Sequence, residues 1–185
     1  MEVIEAIHTR HMVPRVTFAE VPRGVTEKLL EAAVQAPNHY KVRPWRFVVL
    51  TGNARRRLGD VMAESFRARN PDVPAEAIEK TRGLPLRAPL LIAVAVDKPA
   101  EPRVIEIENI CAGAAACQNL LLAAHANGLG AQWRTGEWAR DPRVKQFLGF
   151  AEDQELLAFL YIGYPETPPE PYQRPSFEDR TVWME

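Results

Sequence analysis

The sequence predicts a single α+β layered domain, and three observations predict it. Four short segments are rich in branched and aromatic residues, as buried strands are. The stretches between them carry apolar residues at helical spacing. No internal repeat, linker or shift of composition divides the 185 residues. A chain of this size buries a substantial core, since about 150 residues already hide roughly 70% of their unfolded surface. The expected architecture is several helices layered around four strands.

The elements follow in order. Apolar spacing gives a short helix from Val3 to His8, then a polar loop punctuated by Pro14 and Pro22. Thr26 is the expected N-cap of a second helix whose stripe is Leu29, Leu30, Ala33 and Val34, closed before Pro37. Trp45 to Leu50 reads as a strand, and Asn53 as the cap of a long helix to Arg69, with another at Ala75 to Arg82. After Pro89, Leu90 to Val96 is the expected central strand. Ile105 to Asn127 is the longest helical pattern, apolar on nearly every side and stopped by Gly128; such a helix belongs in a core or at a subunit interface. A strand at Ala131 to Thr135, a helix at Asp141 to Leu148 and a last strand at Leu156 to Ile162 complete the set.

Composition narrows the function. Twenty-three basic against 24 acidic residues leave a net charge of −1, without the basic excess of a nucleic-acid binder. Arg55, Arg56 and Arg57 lack interleaved aromatics and read as a solvated helix face. The longest unbroken apolar run, Ala88 to Val96, falls short of the ~20 residues of a membrane span, and the first residues lack a signal-peptide pattern. No membrane span and a cytoplasmic location are therefore expected. Cys111 and Cys117 would point about 120° apart on a helix, at ~100° per residue, which suits core residues better than a disulfide. His8, His11, His39 and His125 show no metal-ligand spacing, so no metal is expected. Sixteen prolines make about 9% of the chain against an ordinary 5% or so, and five of them lie between Tyr164 and the C-terminus.

Neither a dinucleotide fingerprint nor a P-loop is present, so a bound phosphate would need side chains. Three polar islands remain. Thr9 to Arg15 holds two arginines and a histidine, either a fork of phosphate donors or a solvated basic loop. Ala36 to Phe47 packs aromatic, basic and amide groups between prolines, as a functional loop or a structural turn. Gly128 to Gly136 surrounds Trp133 and Arg134 with glycines, allowing either close approach to a flat ligand or a core tryptophan beside an interface arginine.

Taken in this order, the islands resemble the nitroreductase family of flavin mononucleotide (FMN) oxidoreductases. The resemblance is carried by Ala36-Pro37-Asn38-His39, Pro44-Trp45-Arg46-Phe47, Arg87-Ala88-Pro89, Cys117-Gln118-Asn119-Leu120, Gly128-Leu129-Gly130, Trp133-Arg134-Thr135-Gly136, Ile162-Gly163-Tyr164-Pro165 and Arg174-Pro175. It implies a nitroreductase-like fold over residues 1–185, with a central, mostly antiparallel sheet flanked by helices, and an intertwined homodimer with a flavin at each interface. It also implies ping-pong hydride transfer from transient NADH or NADPH to a small electron-poor acceptor such as a nitroaromatic, quinone or enone. By that likeness Arg10, His11, Met12, Trp133, Arg134 and Thr135 hold the flavin from one subunit, Gln35 and His39 from the other, and Arg174 reaches the phosphate. No side chain is assigned a catalytic role. Residues 164–185 become an extended arm, with Trp183 or Phe177 packing on the partner.

The likeness departs at the phosphate. Where the family has Arg-Arg-Ser, this chain has Arg10-His11-Met12, and Gln35 stands where close relatives have arginine. At ~1.5–3 kcal/mol per charge-assisted bond, two such losses weaken binding by roughly two to four orders of magnitude unless Arg15, Arg43 or Arg174 compensates. The alternative function is a homodimer of the same fold that has lost flavin and serves as a binding or structural protein.

Overall fold

The computed structural model describes residues 1–170 and 172–185. Its centre is a four-stranded sheet of β1 (Trp45–Leu50), β2 (Leu90–Val96), β3 (Gly130–Arg134) and β4 (Glu155–Gly163), in the order β1-β2-β4-β3. All three pairings are antiparallel. Every residue of β2 is buried, because both faces of the sheet are covered. Leu90, Ile92 and Val94 join one core cluster, and Leu91, Ala93 and Ala95 the other, by the two-residue alternation of a strand.

Six helices form the outer layers: α1 (Val3–Thr9), α2 (Arg23–Ala33), α3 (Gly52–Arg69), α4 (Ala75–Arg82), α5 (Glu106–Ala126) and α6 (Pro142–Phe147). Helices α2 and α5 cover one face of the sheet through Leu29, Ala116, Leu120 and their neighbours. Helices α3 and α6 cover the other through Leu58, Met62 and Val144.

Two expected caps are corrected. Helix α2 begins at Arg23, where the Pro22 carbonyl accepts from Val25 and Thr26 N–H at 3.0 and 3.1 Å. Thr26 is thus buried inside the first turn, its hydroxyl turned back on the Pro22 carbonyl at 3.4 Å. The fixed φ of proline starts the helix where side-chain capping propensity alone points four residues later. Helix α3 begins at Gly52 with Thr51 flanking it, so Asn53 lies within the helix rather than before it. Asp141 does cap α6, its Oδ1 accepting from Arg143 and Val144 N–H at 2.9 and 3.2 Å. Strand β4 extends one residue beyond the expected segment at each end, and β3 starts and stops one residue early.

Helix α5 lies closest to the sheet at Gly113, where an added Cβ would stand 2.5 Å from both Val96 and Leu157 side chains. Asn109 fixes its N-terminal half by donating to the Asp97 carbonyl at 2.8 Å. The helix ends at Asn127, followed by Gly128 at φ +74°, a left-handed position suited to glycine. Cys117 is buried on this helix, where burial pushes its thiol pKa up to about 12, while Cys111 is exposed. An 18-residue window of α5 reaches a mean hydropathy of 1.2, so this helix is long and apolar enough to cross a membrane. That corrects the reading from unbroken apolar runs, which Asn109, Gln118 and Asn119 interrupt. Here the helix packs instead against the sheet and α2.

The segment after α1 is laid across the end of the sheet. Val13 N–H donates to the Ala131 carbonyl at 3.0 Å, and Thr17 N–H to the Tyr164 carbonyl at 2.8 Å. Gly130 and Gly163 are register partners on β3 and β4. A Cβ at Gly130 would lie 2.7 Å from Val13, and one at Gly163 would lie 2.9 Å from Val16. The glycine pair is the step over which the segment passes. Beyond Pro165 the only regular element among the described residues is a single turn, Glu178–Arg180, and Phe177 and Trp183 are 64% and 80% exposed. The expectation of an extended arm includes Pro171, which lies outside the described residues.

Gly130→Ala should therefore destabilise the chain, because Val13 meets the new methyl at its own Cβ and the backbone must shift. At ~1–3 kcal/mol for overpacking and about 2–4 °C per kcal/mol at this size, the melting temperature should fall by about 2–12 °C. Gly24→Ala, which meets nothing within 4 Å, should leave it unchanged or slightly raised. Equal effects of the two substitutions in a thermal melt would contradict the glycine step.

Candidate functional site

The first island is organised by the end of α1. Arg10 follows the helix in extended conformation, its N–H still bonded to the Ala6 carbonyl at 3.0 Å. Its Nη1 is buried and has no hydrogen-bond partner among the described residues. The tail returns to the same place, with Arg174 Nη2 donating to the Arg10 carbonyl at 2.9 Å. Burial first, and the Arg174 charge second, lower the Arg10 pKa. Two guanidinium groups thus converge on a buried donor that nothing satisfies, although an unpaired buried polar atom is costly. That donor set fits a dianionic phosphate, which would supply both the missing acceptor and the opposite charge.

His125, in the last turn of α5, closes the other side. Its Nε2 lies 2.8 Å from Thr9 Oγ1. The Thr9 hydroxyl donates its one hydrogen to the Glu5 carbonyl at 2.7 Å, so the contact requires the histidine to donate from Nε2. Burial, then the charges of His11 and Arg10, lower the His125 pKa against a smaller opposing pull from Glu5. His125 was not among the residues read from sequence. The only signal there was its place at the end of the longest helix, which says nothing until α1 is seen beside it.

Hydrogen bonding carries the first island onto the third. Met12 forms a parallel bridge with Ala131. Arg10 and Trp133 then stand about four strand residues apart, on the order of 13 Å. Trp133 packs on the α2 and α5 face, opposite Leu160, whereas Arg134 projects to the other face opposite Phe159. Burial raises the Tyr161 pKa there, and Arg87 and Arg134 pull it down. Arg87 thus stands with Arg134, a second residue whose place sequence reasoning did not assign. Thr135 lies past the strand and lines a cavity of about 760 Å³ with Arg69, Arg140 and Leu157.

The second island lies elsewhere. Tyr40, Lys41 and Arg43 all have positive φ, at 47°, 58° and 51°, a strained run for residues other than glycine. Asn38 braces it by accepting from Arg43 N–H at 2.8 Å. His39 Nε2 sits 3.7 Å from Glu108, in the first turn of α5. His125 sits in the last turn of the same helix, and at ~1.5 Å per residue the two contacts are about 25 Å apart. Gln35 is exposed beyond the end of α2, its amide touching only the Glu31 carbonyl at 3.5 Å. One chain therefore brings Arg10, His11, Met12, Arg174 and β3 together, and leaves His39 at the far end of α5.

The fold matches solved structures across its full length. The crystal structure of a nitroreductase-like family protein from Bacillus cereus superposes with a TM-score of 0.84 at 27% identity, covering 100% of this chain and 97% of that one. A structure from Desulfovibrio desulfuricans, named as a nitroreductase in complex with FMN, gives 0.76 at 26% identity and covers 100% and 97%. These define the class, a nitroreductase-like fold. The chain belongs to the nitroreductase family, whose model matches residues 7–164. It is 30% identical over 166 residues to YdjA of Escherichia coli K12, covering 90% of each chain, and 28% identical over 183 residues to YfhC of Bacillus subtilis, covering 97% and 93%; both are named NAD(P)H nitroreductases.

Because the folded pKa of His125 is lowered, the ligand-free folded state binds fewer protons there than the unfolded chain, whose histidines titrate near 6.5. Stability should thus fall as pH drops through about 6.5. His125→Gln, which keeps a donor for Thr9, should flatten that part of the melting-temperature profile; an identical profile in the variant would contradict the assignment.

Proposed function

We propose that this protein is a homodimeric, FMN-dependent NAD(P)H oxidoreductase acting on a small electron-poor acceptor, a nitroaromatic, quinone or enone. The observation that carries the reading is the buried, unpartnered Nη1 of Arg10 beside the Arg174 guanidinium. A family relative with FMN bound and relatives named for NAD(P)H support it. FMN would supply a two-electron carrier that takes a hydride from the nicotinamide and gives it to the acceptor in a ping-pong exchange.

The chain's own part is binding and placement. Arg10, His11 and Arg174 hold the phosphate. The backbone of Met12, fixed to Ala131, sets the distance from phosphate to β3, along which Trp133, Arg134 and Thr135 border the ring. Both redox partners use one opening in turn, so no separate nicotinamide motif is needed. The acceptor's proton comes from solvent, which asks for no dedicated acid on the protein.

Dimerisation is part of the same proposal. His39 and Gln35 reach a flavin only from a second chain, since α5 separates His39 from Arg10. That helix presents Ile107, 56% exposed, and Cys111 outward among small residues, an apolar face for its counterpart. Phe177 and Trp183 have no cover in their own chain and dock on the partner. Cytoplasmic location accords with the supply of reduced nicotinamide.

The second reading is a flavin-free dimer of the same fold. The observation that favours it is Met12, exposed, with a thioether that donates no hydrogen bond. His11→Arg with Met12→Ser would then create flavin affinity absent from the native chain.

The test is spectroscopic. Purified protein should be yellow or bind added FMN, oxidise NADH or NADPH, and sediment as a dimer. Arg10→Ala should weaken FMN roughly 10- to 150-fold, the equivalent of ~1.5–3 kcal/mol. Removing residues 167–185, which spares the Val16–Pro165 bridge, should yield monomers. Colourless protein whose melting temperature ignores FMN would overturn the flavin reading, and a truncated chain that stays dimeric would overturn the role given to the arm.

A further inference from the structure

We infer that His125 is a residue of the phosphate site and that docking of a phosphate monoester there is coupled to uptake of a proton at His125 Nδ1. The inference rests on the flavin reading for the identity of the ligand, and on the geometry around α1 for everything else.

The tautomer comes first. Thr9 has one hydroxyl hydrogen and gives it to Glu5, so His125 must donate to Thr9 through Nε2–H. Nδ1 is left as the only ring atom that can gain or lose a proton while the Thr9 contact survives. Proton uptake at His125 therefore needs no rearrangement of the ring.

The charges come second. The groups facing His125 are Glu5 and Thr9 from α1, and Arg10 and His11 from the segment after it. Arg174 joins from the tail through Arg10. Burial first, and the charges of His11 and Arg10 after it, lower the His125 pKa against the opposing pull of Glu5. A dianion placed against Arg10 reverses that balance. The helix itself adds to the reversal, because the C-terminal end of α5 carries partial negative charge that favours a cationic histidine and disfavours a bare phosphate. The anion thus gains from a protonated His125, and His125 gains from the anion. His11 stands where an always-charged arginine is expected from the family pattern, so this chain regains the missing charge from a proton, and only when ligand is bound.

The window must exclude the ligand's own titration. A phosphate monoester loses its second proton near pH 6, so between about pH 6.8 and 8.5 only the protein's groups change. The experiment is calorimetric titration of FMN into the protein across that range, in two buffers of different ionisation heat. Riboflavin and ribose 5-phosphate, a phosphate monoester like FMN, are titrated as separate ligands. About one proton should be taken up per FMN near neutral pH, and the FMN Kd should rise at least fivefold by pH 8.5. His125→Gln should abolish most of the uptake while keeping the hydrogen bond to Thr9, and riboflavin should show neither uptake nor pH dependence. FMN binding without proton uptake, or uptake unchanged in His125→Gln, would overturn the inference and leave the flavin reading intact. Ribose 5-phosphate taking up a proton in a protein that ignores FMN would overturn the flavin reading and uphold the site. Failure of both FMN and ribose 5-phosphate to bind at any pH would overturn the two together.

Discussion

The length of α5 is the constraint on which the arrangement depends. It is the buried helix of the molecule, seated on the sheet at Gly113 and against α2 through Ala116 and Leu120. Because it runs 21 residues, its two ends define two separate polar districts. One end gathers His125, Thr9, Arg10 and the returning Arg174, and the other gathers Glu108 and the strained loop at His39. A cofactor that touches both districts must therefore lie between chains, and the outward apolar face of the same helix offers the surface on which chains would meet. Core packing and the proposed composite site thus depend on one element.

The sheet contributes the second fixed distance. Antiparallel pairing puts the start of β3 beside the end of β4, and the glycine pair Gly130 and Gly163 leaves room there for the backbone from Val13 to Val16. A segment held by hydrogen bonds at Ala131 and Tyr164 cannot slide. Arg10 is thereby set at a definite distance from Trp133 without any glycine-rich phosphate loop. The site is built from a helix end, a crossing segment and a strand, each anchored by the core rather than by contacts among the polar residues themselves.

Much of this was legible in the sequence. Strands β1 and β2 and helix α4 stand at the residues that alternation and apolar spacing mark, because burial on defined faces imposes those periods. Helix starts were less legible. At Thr26 and Asn53 a good capping residue follows a stronger local constraint, the fixed φ of Pro22 and the left-handed φ of Gly52, and a cap preference of ~1 kcal/mol gives way. Arg10 and His11 were readable as candidates because their residue types suit phosphate, and Arg174 through the family likeness alone. His125 and Arg87 were not, since each enters through a contact between segments distant in sequence: Thr9 with His125, and Arg87, just before β2, with Tyr161 on β4. The division of the site along α5 was legible only as a likeness, and the helix length supplies its physical reason.

The central claim, that Arg10 and His39 serve one site from different chains, is tested most directly by subunit mixing. Arg10→Ala and His39→Ala chains carrying different tags are coexpressed, the mixed dimer is isolated, and FMN bound at native affinity is counted. In a composite arrangement one site of the mixed dimer receives both substitutions and the other receives neither, so one native-affinity flavin per mixed dimer is expected where each parent dimer has none. If both residues served a site within one chain, every site would carry one substitution, and the mixed dimer would bind no flavin at native affinity.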